Sequence, residues 1–451
     1  MAEKLNSSNW IQHEKQNARQ LSIKEGAFAS ASSGLGGSQI TPFALAINSN
    51  SFHIGLLSSV SSLIAPLAEI YGSKLMIHHS RKKIVMRFVL LQAIMWLPIA
   101  FLCYFFWKGL FTQYLPYALI ILYLIFALVG AIAGPAWFSW MGDIVNEKEK
   151  GVYYSKRNRI AGIVSISTAL IGAFFLDVLK TKGFVLLGFA ILFALSFTFR
   201  FISFLLFKKQ FSPSIKIRKG DHITFRSFFS QFKNYRNFVI YRALFYTAQM
   251  IAAPFFAVYM LKDLNFSYST FMIVSLSSSI FYLLFIGLAG KFSDKYGNIK
   301  LIKLSGILVM ILPIFWLFIK NPLGLIFIPC LIGGIADAGW VIATTNFTYD
   351  ALPKKQRGEG VAYTDVLLGL GGFIGALIGG ILMTRISPQI LNTFFFVIVI
   401  SVFFRFMVNL IFLSLLKEEK KTERLPPMHI NLTHPFKTIH HEIGWFKHVF
   451  R

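Results

Sequence analysis

The chain has 451 residues, 55% hydrophobic and 16% aromatic, with a formal net charge of +26. That is more apolar side chain than a soluble domain of this length can hide in a core. Apolar runs of about 20 residues recur along it, each able to cross a hydrocarbon core of about 30 Å as a helix, and the short alternating strands of a membrane barrel are absent.

In chain order, a segment at 1–25 precedes predicted spans at 26–48, 52–72, 84–106, 115–139, 159–179 and 184–207. A stretch rich in Lys, Arg, Ser and Gln at 208–237 reads as a cytoplasmic linker. Six further spans follow at 238–261, 269–290, 300–319, 323–346, 361–384 and 390–416, and a basic tail occupies 417–451. The expected fold is an all-α membrane protein of 12 transmembrane helices in two six-helix halves, 26–207 and 238–416.

The basic residues are distributed by loop. Of the 45 Lys and Arg, 37 fall at or within the even-numbered connections and the two tails. By the positive-inside rule both termini are cytoplasmic. The charge then reports orientation and attraction to anionic lipid, and no compact basic domain points to nucleic acid. The N-terminal MAEKLNSSNWIQHEKQ lacks the apolar core of a cleavable signal, so the first span is expected to direct insertion into an inner or plasma membrane. Cys103 and Cys330 both lie within spans, which leaves no disulfide framework and no thiolate metal site.

The halves look like copies of one plan. Asp143 is followed by Lys150 and Gly151, and Asp350 by Arg357 and Gly358 at the same spacing, 207 residues on. Gly162 and Gly172 match Gly369 and Gly379 at that offset. Phe199, Arg200 and Phe201 match Phe404, Arg405 and Phe406, and Pro42 of the first span matches Pro254 of the seventh. Such internal repeats mark many transporter folds.

After the eighth span the chain reads Gly290, Lys291, Phe292, Ser293, Asp294, Lys295, Tyr296, Gly297, Asn298. This resembles the cytoplasmic signature loop of the major facilitator superfamily. The corresponding loop at 73–82 keeps Leu75, Arg81 and Lys82 but carries Ile77 in the Asp position and Ser80 for the second Gly, so that copy is degenerate. Pro135, Ala136 and Trp137 through Asp143 to Arg157, Asn158 and Arg159 also look like members of the superfamily. The resemblance implies that Asp294 with Lys295 latches the halves on the cytoplasmic side. Asp143 with Arg157 or Arg159, and Asp350 with Arg357, are candidates for the same latch; the alternative is that these charges only orient loop ends. Glycines at Gly290 and Gly297 permit the tight turn.

In such a fold the solute site is expected near the bilayer midplane between the halves, where helices are interrupted, and the resemblance implies that spans 1, 4, 7 and 10 line it. The first span is rich in small residues, Ser32, Ser33, Gly34, Gly36, Gly37 and Ser38, with Gln39 ahead of Pro42; such a face packs against another helix or borders water. Asp337 lies near the middle of the tenth span, where a carboxylate costs on the order of 3 kcal/mol. It reads as a protonation or substrate-contact residue, or else as a buried Asp with an amide or Arg partner. Gln39, Gln249, Tyr246, Trp137 and Trp340 add hydrogen-bonding groups and ring faces. Arg200 and Arg405 are expected to snorkel or to hold the bundle, and Asp177 to be solvated at an outer helix end.

No Gly-rich loop ending in Gly-Lys-Ser or Gly-Lys-Thr occurs, so an ATP-driven pump is not expected, nor is a cofactor or catalysis. The expectation is a monomeric secondary transporter of a small-molecule substrate, coupled to protons through Asp337. Drug or amphipath efflux, or a sensor or lipid-handling role on the same scaffold, are the alternatives. In the tail, Phe436, Ile439, Ile443, Phe446 and Phe450 recur at spacings of three and four, as in an amphipathic helix on the anionic leaflet, a reading favoured over a metal site built from His429, His434, His440, His441 and His448.

Overall fold

A computed structural model describes residues 2–146, 149–213, 225–353, 356–386, 392–420 and 422–423. The amphipathic helix expected in the tail lies outside the described residues, as does the middle of the linker. The fold is all-α, with no strand among the described residues.

The first span is one helix broken in two: α1 (Ala2–Leu35), a 3-10 turn at Gly37–Gln39, and α2 (Ile40–Ala46). Helix thus begins well before the predicted 26, and the break falls at the Gly36, Gly37 pair ahead of Pro42. Single helices follow: α3 (Ser51–Leu75), α4 (Arg81–Trp107), α5 (Leu115–Ile144), α6 (Lys150–Thr181) and α7 (Val185–Lys209). Asn50 starts α3 with a reciprocal cap, its side chain accepting from His53 N at 3.0 Å while His53 Nδ1 accepts from Asn50 N at 3.2 Å.

The second half opens with a short α8 (Phe225–Gln231). Its seventh span repeats the interruption of the first: α9 (Lys233–Met250), a turn, α10 (Phe255–Val258) after Pro254, and a π turn at Tyr259–Asp263. Then come α11 (Tyr268–Tyr296), α12 (Asn298–Phe318), α13 (Pro322–Leu325), a π turn at Ile326–Cys330 containing Pro329, α14 (Leu331–Ala351), α15 (Arg357–Arg385) and α16 (Thr393–Phe412). Proline removes an N–H and crowds the preceding turn, which accounts for the local π geometry at Pro329. Eleven of these helices, counted among the described residues, are long and apolar enough to cross a membrane, and the broken α1–α2 occupies the place of the first span.

The chain forms two compact units whose borders cross the helices. Unit 1 comprises Met1–His222, Met250–Ile273 and Leu368–Val397. In addition to α1–α7 it therefore holds α10 with the π turn after it, the start of α11, most of α15 and the first turn of α16. Lys262 donates to the Ser49 carbonyl at 3.1 Å, and Tyr259 stacks on Phe394 with centroids 4.4 Å apart. Asp177, expected to be solvated, instead receives Tyr268 N and Ser269 N at 2.8 Å each, because α11 presents the unbonded N–H groups of its first turn to it. Unit 2 comprises Ile223–Gln249, Val274–Leu367 and Ile398–Arg451. Its core is aromatic, with Phe228, Tyr235, Phe238, Tyr241, Phe245, Tyr296 and Phe347 buried together. The predicted polar linker thus contributes Phe228 and Phe229 to a core, in α8.

Each half ties the start of its third span to the end of its fourth. In the first, Arg81 pairs with Asp143 and also donates to the Ser139 carbonyl at 3.0 Å. In the second, Asn298, which opens α12 as Arg81 opens α4, donates from Nδ2 to Asp350 at 2.8 Å. The matched carboxylates therefore anchor helices inside each half. The pairing of Asp143 with Arg157 or Arg159 does not occur, because Arg81 reaches Asp143 first and Arg157 turns toward α1. Nor does Asp350 pair with Arg357. Arg357 donates instead to the Tyr349 and Leu352 carbonyls, at 2.7 and 3.2 Å, closing the C-terminus of α14, while Lys420 takes Asp350 at 3.0 Å.

A candidate solute site beside the broken first helix

Small residues on α1 serve two faces. Ser32 Oγ donates to the Ser196 carbonyl of α7 at 2.8 Å, and Gly34 lies against Thr168 and Ser165 of α6. Gly26, Ala29, Ser30 and Ser33, together with Ser32, line a cavity of about 320 Å³, with Gly37 of the break at its edge. Its other walls are Gln92 and Trp96 from α4, Tyr123 and Phe126 from α5, Arg157 from α6 and Arg200 from α7. That volume lies at the small end of the roughly 300–1,000 Å³ of small-molecule sites, and the mix of rings with a few polar groups is their usual lining.

The charged groups form one cluster around Glu25, the residue before Gly26 on α1 and only 2% exposed. Glu25 lies 3.3 Å from Arg157 Nη2 and 3.6 Å from Arg200 Nη1, and accepts from Ser203 Oγ at 2.8 Å. Arg200 Nε also donates to Gln92 Oε1 at 2.9 Å. The Arg157 guanidinium lies over the Trp137 ring, 4.4 Å from its centroid. It rests directly on Gly26, where an added Cβ would meet Nη2 at 2.9 Å, so the glycine is what admits it. A buried carboxylate with two guanidiniums and a hydroxyl is fully satisfied.

The second half holds Arg405 in the position matching Arg200, but differently. Arg405 is buried and donates to the Val309 carbonyl at 2.8 Å, Val309 standing in α12 where Gln92 stands in α4. No acid joins it among the described residues. This is a structural arginine, whereas Arg200 faces a cavity.

The predicted site residues fall in several places. Trp137 and Arg157 meet at the cavity's edge. Gln39 is buried and donates to the Ala169 carbonyl at 3.3 Å, so the break sends it toward α6 rather than into the cavity. Trp340 stacks on Phe245, centroids 5.0 Å apart, within the core of unit 2. Tyr246 and Gln249 are half-buried near the end of α9, and the Gln249 carbonyl accepts from Arg405 at 3.5 Å. Asp337 is exposed on α14 and has no hydrogen bond or ion pair among the described residues, so the amide or Arg partner considered for it is not there. Gly130, its counterpart in the first half, lies against the Gln92 amide, which leaves no room for an acid at that position. Arg159 is exposed.

In the signature loop, Gly297 adopts φ +101°, a conformation side chains resist, and Gly290 is half-buried. Asp294 is exposed, and Lys295 lies over the Tyr296 ring at 5.4 Å. Ser293 donates to Asn298 and receives Asn346 Nδ2 at 3.0 Å, so the buried network runs from Ser293 through Asn298 to Asp350.

Sequence reading missed Glu25, Gln92, Trp96 and Tyr123, and gave Arg200 only a structural part. One signal was present: Glu25, Ala29 and Ser32 follow a helical spacing of four and three, continuing the small-residue face past the predicted helix start.

Residues 238–445 match the family model of the Major Facilitator Superfamily. Among solved structures, the nucleoside transporter NupG aligns with TM-score 0.64 and 17% identity, over 90% of this chain and 99% of its own. A bacterial homologue of the iron transporter ferroportin aligns with TM-score 0.66 and 13% identity, over 89% and 98%. The D-xylose-proton symporter gives 0.63 and 14%, over 91% and 99%. At these identities the likeness speaks for the fold alone. No curated protein matches the chain in sequence.

Proposed function

We propose that this multi-pass integral membrane protein, whose residues 238–445 match the Major Facilitator Superfamily model, is a secondary transporter of that superfamily that carries a small polar solute by alternating access. The observation that carries this reading is the cavity beside the interrupted first helix, where Ser30, Ser33, Gln92, Arg157 and Arg200 meet the rings of Trp96, Tyr123 and Phe126. A broken helix frees backbone groups at membrane depth only where they are buried or line a cavity, and Gly36 and Gly37 supply that break here.

Coupling is assigned to protons, through Asp337. Its carboxylate sits on a membrane helix without an ion-pair partner among the described residues, the condition in which gaining and losing a proton costs least in rearranged contacts. A fold shared with a proton symporter is consistent with this. The Lys and Arg distribution supports cytoplasmic termini and contact with anionic lipid, and a monomer suffices because the cavity is lined within one chain. Asp294, exposed and with Lys295 beside it, retains the latch role that the signature loop implies.

The test is flux of radiolabelled solutes into proteoliposomes under an imposed pH gradient, after a ligand-stabilisation screen of the purified chain. Accumulation should follow the gradient and lose that dependence in Asp337→Asn. Unchanged gradient dependence in that variant would remove Asp337 from coupling, and absence of flux across the panel would remove the transport reading.

A further inference from the structure

We propose that the cavity takes a small organic anion of the carboxylate class, attached to a planar or apolar body. This deepens the transport reading and rests on it.

Three observations converge on the assignment. The first is charge. Arg157 and Arg200 both approach Glu25, so two guanidiniums share one carboxylate and a positive charge is left over. No acidic side chain is part of the cavity lining, and among the described residues no acid besides Glu25 pairs with either arginine. An unbalanced charge among largely buried groups is unfavourable, and a ligand carboxylate would balance it.

The second is donor geometry. Arg157 uses Nε toward the Ser22 carbonyl and Nη2 toward Glu25, while Arg200 uses Nε toward Gln92 and Nη1 toward Ser203 and Glu25. Arg157 Nη1 and Arg200 Nη2 have no acceptor among the described residues. Trp96, 1% exposed and part of the cavity wall, likewise leaves its Nε1–H without an acceptor. A buried donor such as the Trp96 Nε1–H rarely stays unpaired, and the two guanidinium nitrogens, which are not enclosed, remain open to a ligand. Three donors on one cavity call for a ligand group that only accepts, as an ionised carboxylate does.

The third is the wall. Trp96 lies against Phe126 with centroids 4.7 Å apart, and Tyr123 stacks on Phe126 at 5.7 Å, forming a ring surface across from the hydroxyls of Ser30 and Ser33. A flat or apolar body fits against that surface. Glu25 then has a definite part. It competes with the ligand for the same two arginines, so its removal should strengthen anion binding, whereas a merely structural carboxylate would weaken everything when lost.

The experiment uses the full chain in phosphatidylcholine nanodiscs, with benzoate as probe and benzamide as its neutral isostere. Binding is read by thermal stabilisation and by tryptophan fluorescence. Benzoate should bind and benzamide should not. Benzoate affinity should rise in Glu25→Gln, fall by about tenfold or more in Arg200→Gln, and recover in part in Arg200→Lys. Trp96→Phe, which removes one N–H and keeps a ring, should weaken benzoate even if Arg200→Gln fails to fold. Equal binding of benzamide, weaker benzoate binding in Glu25→Gln, or no benzoate binding at millimolar concentration would overturn the assignment. Flux of a neutral solute that benzoate does not inhibit would overturn it too, while leaving the transport reading intact. Benzoate binding with no flux of any solute would overturn the transport reading alone.

Discussion

Replacing Asp177 should loosen the first turn of α11. The Asp177 carboxylate on α6 accepts Tyr268 N–H and Ser269 N–H at 2.8 Å each and the Ser269 hydroxyl at 2.5 Å, while Ser267 Oγ accepts Thr270 N–H at 3.1 Å. Three of the four backbone donors that a helix start leaves unbonded are thus satisfied, two of them by a charge from another helix. A hydrogen bond to an ionised group contributes roughly 1.5–3 kcal/mol. Two backbone bonds sharing one half-buried carboxylate sum to less than twice that, about 2–4 kcal/mol after screening. At 1.4 kcal/mol per factor of ten, opening of this turn should become about 30- to 700-fold more frequent in Asp177→Ala. Hydrogen exchange followed by mass spectrometry reads this directly in peptides spanning 266–273, with α7 as internal control. Asp177→Asn keeps one acceptor but turns an amide N–H against a backbone N–H, so it should show much of the same effect. Exchange unchanged within twofold in Asp177→Ala would refute the reasoning. The contact joins α6 of the first half to α11 of the second, so any step that parts these helices must break it. The Ala variant should therefore populate that step more.

Asp143→Asn should lower stability by about 2 kcal/mol, and combining it with Arg81→Gln should cost little more, since both act on one ion pair; thermal unfolding of the four proteins gives the coupling. Charge exchange between Asp143 and Arg157, by contrast, should rescue nothing. Gly26→Val should displace the Arg157 guanidinium from α1, destabilise by about 1–3 kcal/mol and alter tryptophan emission through loss of the contact with Trp137. Gly297→Ala places a side chain at φ +101° and against Glu418, and should cost about 1–3 kcal/mol, visible as an earlier unfolding midpoint.

What the sequence made legible was the scaffold, because lipid imposes it. A span must be apolar for about 20 residues, so eleven of the predicted spans reappear as uninterrupted or locally bent helices, and the matched prolines Pro42 and Pro254 each follow a real break. The matched carboxylates were legible too: Asp143 and Asp350 each take a donor from the start of the third span of their half. Their partners were not legible. Arg81 and Asn298 stand 217 residues apart while the carboxylates stand 207 apart, since the connections differ in length. Pairing by proximity in sequence therefore selected Arg157 and Arg357, which lie nearer along the chain and elsewhere in space.

The site shows where the repeat stops helping. Arg200 and Arg405 occupy matching positions in the two halves, each between two phenylalanines, and hydropathy treats them alike, as long side chains near a cytoplasmic helix end. What separates them is what stands around each. In α12 the position facing Arg405 is Val309, so a backbone carbonyl takes the guanidinium and the arginine is consumed in holding α16. In α4 the same position is Gln92, and Glu25 approaches from α1, so Arg200 is held by side chains at the border of a cavity. The small-residue face of α1 is the enabling difference, since it both admits Arg157 at Gly26 and leaves the space that Ser30 and Ser33 line. We propose a division of labour in which the first half holds the solute and the second, with Asp337 lacking an ion pair among the described residues and the intact Gly290–Asn298 loop, carries coupling. Asp337→Asn should then leave benzoate affinity unchanged while abolishing the effect of a pH gradient on flux, and Arg200→Lys should do the reverse; both variants altering both measurements would refute the division.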